Sequence, residues 1–576
     1  MNIFHVIQQT LSKGAMVSVT GMVISFLMSP LMIHAQNPVI EHLYTADPAA
    51  MVWNDTVYLY TGHDEASPTH DGYVMDDWHV FSSTDMVEWE DHGEALTLHT
   101  FDWAVANAWA SHAVERDGKF YWYVSVSPDA SVGGSFAIGV AVADHPAGPW
   151  TDALGTALIT DDMTDDIPYD IDPAVFVDDD GQAYLYWGNQ RAKAIRLKDN
   201  MIETEGAMVD ITPQNFTEAA YVNKRNGIYY LTYAANWPET IAYATSDNPM
   251  GPFTDQGLLN DRVSSGTNHQ SLIEFNGQWY FIYHTADLEG GGDFRRSVAI
   301  EYLFWNDDNT IAEIVQTPYG VIHTDSSAVC PPRQIVPRLQ VNEEPLQSAR
   351  RVTVTQGDDV ILLPELDAVG EWHWEKAGES VAAGEALELM SIAKEQEGYY
   401  LAVYTAACGT RSYMGYQVHV NYPLPASVES GSTYELVSVA SGNVITLQGG
   451  GTANGTNVIQ ASRDGLDQQR FDFTLEEDVY WKITSEQVSG RALDVFNISM
   501  ENGANIVIWD YWGGWGQQWQ LAEVEAGIYN IISRNSGKCL DVNLANNNIR
   551  QWECHGGDNQ AFRIEIPLAA PAEMVS

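Results

Sequence analysis

The chain has 576 residues, 45% of them hydrophobic, enough for two to four packed domains. Lys and Arg number 27 against 78 Asp and Glu, a formal net charge of −51. So acidic a surface repels nucleic acid and anionic membranes and argues against a polyanionic substrate such as pectate, whereas a neutral partner fits.

Residues 1–36 stand apart. Residues 15–35 carry no acidic or basic side chain except His34 and are rich in Val, Met, Ile, Leu and Phe. They read as a secretory signal cleaved after Ala35, which makes the mature protein secreted, periplasmic or displayed at the cell surface. Lys13 is the one firm positive charge before the apolar run, and Ile33 is large for a cleavage site. A retained membrane anchor is therefore the competing reading.

Five similar segments follow: NDTVYLY (54–60), RDGKFYWY (116–123), DDGQAYLY (179–186), RNGIYYLTY (225–233) and FNGQWYFIY (275–283). Each joins an Asn/Asp turn signal to an aromatic strand, and each is preceded by an apolar run, so each predicts a hairpin. Further strands closed by polar turns follow each hairpin. The repeat tyrosines Tyr58, Tyr121, Tyr184, Tyr230 and Tyr280 are 63, 63, 46 and 50 residues apart. About four strands per repeat at such spacing predict propeller blades, and we read residues 37–325 as a five-bladed β-propeller. A β-sandwich with similar hairpins would not recur five times.

The first strand of a propeller blade lines the central channel. Counting back 11 or 12 residues from each repeat tyrosine gives Asp47, Trp109 (or Ala110), Asp172, Glu218 and His269 (or Asn268). Three of five equivalent positions are carboxylates on separate blades. In the acidic stretch YDIDPAVFVDDDG (169–181), Asp172 is thus expected inside, Asp178, Asp179 and Asp180 in a solvated turn, and Asp170 on the same strand face as Asp172. Converging carboxylates suit glycoside hydrolysis, in which one acid protonates the leaving oxygen and one carboxylate activates water or attacks carbon. Packing them together splits their pKa values so that one stays protonated near neutral pH. A calcium cage is the competing reading, but such cages usually draw their ligands from one tight loop.

The stretches ADPAAMVWNDTVYLY, IDPAVFVDDDGQAYLYWGN and TEAAYVNKRNGIYYLTYA resemble the three signature strands of glycoside hydrolase family 43. The resemblance implies an inverting five-bladed propeller, active as a β-xylosidase, α-L-arabinofuranosidase or arabinanase. It implies Asp47 as general base, Glu218 as general acid, and Asp172 as the group that raises and orients the acid. It further implies that His269, in GTNHQS, sits near the channel centre as ligand to a calcium ion or its waters, the only cofactor expected. Arg296, in FRRSVAIEYLFW, is implied as a substrate and carboxylate contact in preference to Arg295. His63 and Asp64, in YTGHDE, are expected to line the pocket, and Trp109 and Trp237 to offer stacking faces.

A linker-like CPPRQIVPR (330–338) opens a second region. Short alternating strands over 326–425 predict a small immunoglobulin-like sandwich acting as a spacer, with one of Trp372 and Trp374 in its core. All four cysteines lie beyond residue 329. Cys330 and Cys408 are expected to pair, as are Cys539 and Cys554.

From residue 432 a threefold repeat appears. Its members begin with SGNVITL, SGRALDV and SGKCLDV and end in DQQRFDF, GQQWQL and NQAFRI, with key glutamines read as Gln469, Gln518 and Gln560. This looks like a ricin-type β-trefoil lectin domain over 432–566. The resemblance implies sugar sites at Asp494 and Asp541, platforms at Trp509 or Tyr511 and at Trp552, and polar partners at Gln517 and Asn559. Thr446 stands where the first repeat should carry its acid.

The chain thus reads as all-β, a five-bladed β-propeller followed by a sandwich and a β-trefoil. The expected function is a secreted inverting glycosidase that releases α-L-arabinofuranosyl or β-D-xylosyl groups from plant cell-wall polysaccharide or oligosaccharide. No nucleic-acid partner is expected, and no membrane beyond the signal. An endo-arabinanase, or a propeller that only binds glycans, are the alternatives.

Overall fold

The computed structural model describes residues 37–70, 72–164, 168–321 and 331–567. The expected signal segment lies outside them, as does Cys330 with its expected pairing to Cys408. Among the described residues there are strands and short 3-10 turns only, and no helix is long and apolar enough to cross a membrane.

The first five sheets follow one another along the chain, with four, six, four, four and three strands. Their hairpins form where the sequence supplies residues that tolerate positive φ. Asn54-Asp55 (φ 48° and 58°), Asp117-Gly118 (54° and 76°), Asn226-Gly227 (52° and 80°) and Asn276-Gly277 (52° and 78°) are two-residue type I′ turns, whose twist matches that of the strands. The third sheet turns over a longer loop, with the Gly181 N–H donating to Asp178 O at 2.8 Å. There Asp178 departs from expectation. Its carboxylate turns inward and accepts from the Tyr229 hydroxyl at 2.6 Å and Lys224 Nζ at 2.5 Å.

Side chains alternate across each aromatic strand, so every blade presents one apolar face to each neighbour. Five apolar clusters result. Tyr60, Trp78 and Trp122 pack between blades 1 and 2, and Tyr123, Val175 and Leu185 between blades 2 and 3. Tyr186, Val222 and Leu231 join blades 3 and 4, and Tyr230, Leu259 and Phe281 join blades 4 and 5. Val57, Leu59, Ile273 and Ile282 join blade 5 back to blade 1. The sheets therefore close into a ring around one channel.

The chain entry locks that ring. The Val39 N–H donates to Val298 O at 2.9 Å. Asn37 Oδ1 accepts from the Ile300 N–H at 2.9 Å, while Asn37 Nδ2 donates to Glu301 Oε1 at 3.0 Å and Thr317 O at 2.9 Å.

Beyond the ring, a three-stranded and a five-stranded sheet share one core built on Trp374, Tyr400, Tyr404 and Tyr416. Trp374 is buried and Trp372 only partly so. Strands within 432–565 form a single twelve-stranded sheet closed on itself around a core that includes Trp481, Trp519, Phe473 and Phe562. A disulfide joins Cys539 to Cys554.

Asn37→Ala is expected to destabilise the propeller by about 1–3 kcal/mol, since it leaves the Ile300 N–H and Thr317 carbonyl without partners inside the closure. Urea unfolding followed by tryptophan fluorescence measures this, and a change below about 0.3 kcal/mol would show that the ring closes without that side chain.

Candidate active site

The innermost strands of the blades all begin at one end of the channel. Asp47 lies in Thr45–Trp53 and Glu218 in Phe216–Arg225, while Asp172 and His269 sit two residues before Ala174–Val177 and Ser271–Phe275. The carboxylates reach the axis through local backbone distortion. Asp47 and Asp172 have φ of 50° and 58°, and Ala219, just after Glu218, has 58°. Pro48 and Pro173 follow the two aspartates and steer the preceding residue towards extended backbone, so these are strained conformations. Strand pairing shifts between Ala46 and Ala49, and on both sides of Glu218. A bulge of this kind re-aims a side chain that regular pleating would send into a blade.

Asp47, Asp172 and Glu218 line one cavity of about 210 Å³, together with Tyr73, Met75, Trp109, Ala110, Tyr169, Ile171, Asn189, Trp237, Thr267, His269 and Arg296. A larger cleft of about 750 Å³, where the ring meets the two following sheets, holds none of the three.

The three carboxylates differ in charge. Burial pushes Asp47 up, but it is outweighed by the Arg296 guanidinium, by a hydrogen bond with His284 and by the nearby imidazoles, and Asp47 is held well below the ordinary carboxylate range. Arg296 Nη1 donates to Asp47 Oδ1 at 2.8 Å. Glu218 is pushed up to about 7, chiefly by burial, with the Asp47 charge adding to it; a hydrogen bond from Asn189 Nδ2 at 2.8 Å and the Arg296 charge pull the other way. Asp172 is raised well above the ordinary range by burial and then by the charges of Glu218 and Asp47. Its Oδ2 accepts from the Ala219 N–H at 3.0 Å, which couples its position to the kink beside Glu218. The site therefore holds one firm anion, Asp47, facing a pair that retains a proton at neutral pH. Such a site can take a proton from water on one side and give one to a leaving oxygen on the other.

His269 Nδ1 is 3.9 Å from both Asp47 Oδ1 and Asp172 Oδ2, and burial holds its pKa down to about 4, so it is neutral. Of the two candidate arginines, Arg296 is the one inside. Arg295 binds the rim carbonyls of Gly290 and Ser67 at 2.7 and 3.1 Å. Trp109 forms part of the wall, against Phe136 at 4.4 Å, and Trp237 stands at the mouth, 68% exposed.

His63 and Asp64 do not line the pocket as expected. Asp64 is buried behind Arg296, with Oδ2 accepting from Arg296 N and Nε at 2.8 and 2.9 Å and Oδ1 from Nη2 at 2.9 Å. Strand alternation then turns His63 away, to Asp77 Oδ1 at 3.1 Å. Sequence reasoning missed Asn189 and Tyr73. Asn189 ends the YLYWGN stretch and so lay within a recognised strand signature. Tyr73, which stacks on the Arg296 guanidinium at 4.7 Å, sits in a loop with no repeat register to mark it.

In the trefoil, Asp494 is buried, and the same repeat carries the exposed aromatics Phe496, Trp509, Trp512 and Trp515, of which only Trp509 was anticipated. Burial raises Asp494 to about 6 against hydrogen bonds from Gln517 and Trp512. Gln517 is not a sugar-facing group. It is fully buried, its Oε1 accepting from the Trp512 N–H at 2.9 Å and its Nε2 donating to Asp510 O at 3.1 Å. Gln469 and Gln560 hold their loops in the same way, through Asp464 N and His555 N at 2.8 and 2.9 Å. The repeating glutamine of the second repeat is therefore Gln517, not Gln518. In the third repeat, Asp541 accepts from Arg550 Nε at 2.9 Å and Asn559 Nδ2 at 2.7 Å, and Arg550 covers one face of Trp552 at 4.1 Å. Tyr511 stacks on Lys482 at 4.8 Å.

The family model described as "Glycosyl hydrolases family 43" matches residues 35–311, and that described as "Ricin-type beta-trefoil lectin domain" matches residues 432–564. The chain is similar to a xylosidase/arabinosidase 43A of Humicola insolens, 34% identical over 330 residues, which are 48% of this chain and 98% of that protein. It is also similar to a xylosidase/arabinosidase of Bacteroides ovatus, 32% identical over 319 residues, 47% of this chain and 95% of that protein. Among solved structures, a GH43 β-xylosidase/α-arabinofuranosidase from a compost microbial metagenome, in complex with xylotriose and in calcium-free form, is 34% identical, with 49% of this chain and 97% of that one covered and a TM-score of 0.44.

Asp64→Ala leaves a buried guanidinium with one carboxylate instead of two. It is expected to cost about 3–5 kcal/mol of propeller stability, with Asp64→Asn costing less. Chemical denaturation reads this, and a loss below about 1 kcal/mol would show that Asp47 alone anchors Arg296.

Proposed function

The chain belongs to glycosyl hydrolases family 43, and on that premise we propose that it releases single α-L-arabinofuranosyl or β-D-xylosyl groups from arabinoxylan or arabinan with inversion at the anomeric carbon. The observation that carries this is the division of charge in the pocket, with Asp47 kept anionic by Arg296 and Glu218 lifted to about 7. In the proposed reaction, Asp47 takes a proton from a water whose oxygen attacks the anomeric carbon. Glu218 gives its proton to the departing glycosidic oxygen, and the C–O bond breaks as the new one forms. Asp172 supports the protonated state of Glu218 and holds the Ala219 kink.

The cavity of about 210 Å³ is below the roughly 300–1,000 Å³ of drug-sized pockets, which favours one sugar ring and action at chain ends or branches. An endo-arabinanase would need room on both sides of the scissile bond. Trp109 Nε1 is buried in the wall without an acceptor and is suited to a sugar hydroxyl, and Trp237 at the mouth is suited to stack on the next ring.

A calcium ion near the channel centre belongs to the same reading. Glu239 Oε1, Asn268 Oδ1 and Gln270 Oε1 are buried oxygens without partners, beside or bonded to the segment that carries the neutral His269. That donor set suits a hard cation and its waters. His269 would hold the ion, which would add positive charge beside Asp47 and Asp172. Export through residues 1–36 and a spacer role for an immunoglobulin-like middle region complete the proposal. The trefoil would hold the polymer, chiefly at Asp494 and Trp509, and raise the local concentration of cleavable bonds.

The test is hydrolysis of aryl arabinofuranoside and aryl xyloside. Wild type should show kcat/KM falling as pH rises through about 7, where Glu218 loses its proton. Glu218→Gln should lose about 10²–10⁴-fold in rate, and proton NMR should show the inverted anomer first. Asn189→Ala removes a bond that favours the Glu218 anion, so the falling limb should move to higher pH. Equal turnover by wild type and Glu218→Gln on both substrates would leave a glycan-binding propeller as the better account.

The trefoil is tested separately. Asp494→Ala with Trp509→Ala should weaken retention on insoluble arabinoxylan at least tenfold while leaving aryl glycoside turnover unchanged. Undiminished retention would return the trefoil to a purely structural role.

A further inference from the structure

Blade 1 carries a second polar cluster outside the pocket. His63 ends the strand Thr56–His63, Asp77 begins the strand Asp77–Ser83, and His79 follows two residues later. The pairing of Thr61 with His79 and Gly62 with Trp78 sets His63 opposite Asp77, so all three side chains share one face of the sheet. His63 Nδ1 is 3.1 Å and His79 Nε2 3.3 Å from the same oxygen, Asp77 Oδ1. The three ligand atoms lie within 4.8 Å of one another, and this is the only such group of His, Cys, Asp or Glu among the described residues.

Two imidazole nitrogens and a carboxylate oxygen form a donor set for a first-row divalent ion. Metal–ligand bonds of about 2.0–2.1 Å in a tetrahedron place neighbouring ligand atoms about 3.3–3.4 Å apart. The two separations from Asp77 Oδ1, 3.1 and 3.3 Å, are close to that. No lysine or arginine is paired with Asp77 among the described residues, so its charge is left to the two imidazoles.

A second observation concerns the far side of His79. Its Nδ1 is buried and has no hydrogen-bond partner. Asp91 Oδ1 lies 3.9 Å from it, and the other oxygen of Asp91 is held by His42 Nε2 at 2.8 Å. A metal on Nε2 would fix the proton on Nδ1, facing Asp91. Metal-bound histidines characteristically have such an outer carboxylate. The orphaned nitrogen and the shared Asp77 oxygen thus have one common explanation.

We propose that His63, Asp77 and His79 bind one divalent transition-metal ion, zinc or a close chemical relative, which staples the second and third strands of blade 1. Three protein ligands leave a fourth position for water. The staple sits one residue from Asp64, the anchor of Arg296, and so braces the pocket from behind without touching substrate.

The experiment uses the full-length, untagged chain stripped with EDTA and returned to chelator-free buffer. Zinc chloride should leave one ion per chain after desalting, measured by elemental analysis, and should raise the thermal midpoint by a few degrees. His79→Gln and Asp77→Asn should each abolish both effects. Calcium chloride should not reproduce the shift that these variants lose. Cobalt(II) added to the stripped wild type should give the intense visible absorption of a tetrahedral N/O site, a readout that needs no variant to fold. A weak aquo-like cobalt spectrum, or equal zinc retention by wild type and both variants, would overturn the proposal and leave a hydrogen-bonded His–Asp–His chain.

Discussion

The buried pairing of Arg296 with Asp47 and Asp64 is the constraint on which the rest of the pocket depends. A carboxylate taken out of water resists ionisation, and the channel buries Asp47 and Asp172 and half-buries Glu218. One fixed guanidinium, held from behind by Asp64 and from the side by Tyr73, reverses that tendency at Asp47 alone. Once Asp47 is an anion, its charge works against ionisation of Asp172 and Glu218. Acid and base are thereby assigned by the position of a single cation relative to three similar side chains. Arginine suits this task because its planar fork binds two carboxylates at once and does not lose its charge.

That arrangement is imposed on the backbone at a cost. The positive φ values at Asp47, Asp172 and Ala219 are each worth of order 1–3 kcal/mol of strain. They persist because the surrounding blades are over-determined. Five aromatic and aliphatic clusters fill the spaces between sheets, and the side chain of Asn37 bridges the chain entry to blade 5. A fully buried large apolar side chain contributes about 1.5–3 kcal/mol, so a few residues per interface offset the three kinks. The tyrosine repeat that marks the blades and the strain that aims the carboxylates are two aspects of one balance.

This explains what was legible in the sequence. The blades, their hairpins and the three channel carboxylates could be read because each depends on local rules repeated five times, namely turn residues, alternation and a constant offset from a tyrosine. Asp178 was misplaced because its partners, Lys224 and Tyr229, come from the next blade, and no pattern within DDDG announces them. His63 was misplaced because neighbours along a strand point to opposite faces, and a motif that names His-Asp together hides that division. Gln517 was misread by taking the glutamine adjacent to Trp519, although the one-residue gap in Gln469-Arg470-Phe471 and Gln560-Ala561-Phe562 already selects Gln517. The hydrogen bonds of Gln469, Gln517 and Gln560 to equivalent loops give the same register.

The same contrast separates the trefoil repeats. Their cores are alike, since each must bury its glutamine and aromatic to close the barrel, and that requirement is independent of any ligand. Their surfaces are not alike. The first repeat has Thr446 in place of the acid, and the third pairs its Asp541 with Arg550 and Asn559. The second keeps Asp494 without an arginine partner among the described residues, in a repeat that carries the exposed Trp509, Trp512 and Trp515. A fold that needs only three equivalent cores can let its three surfaces diverge. Binding would then concentrate where a carboxylate acceptor and an uncovered aromatic face still coincide, which in this chain is the second repeat.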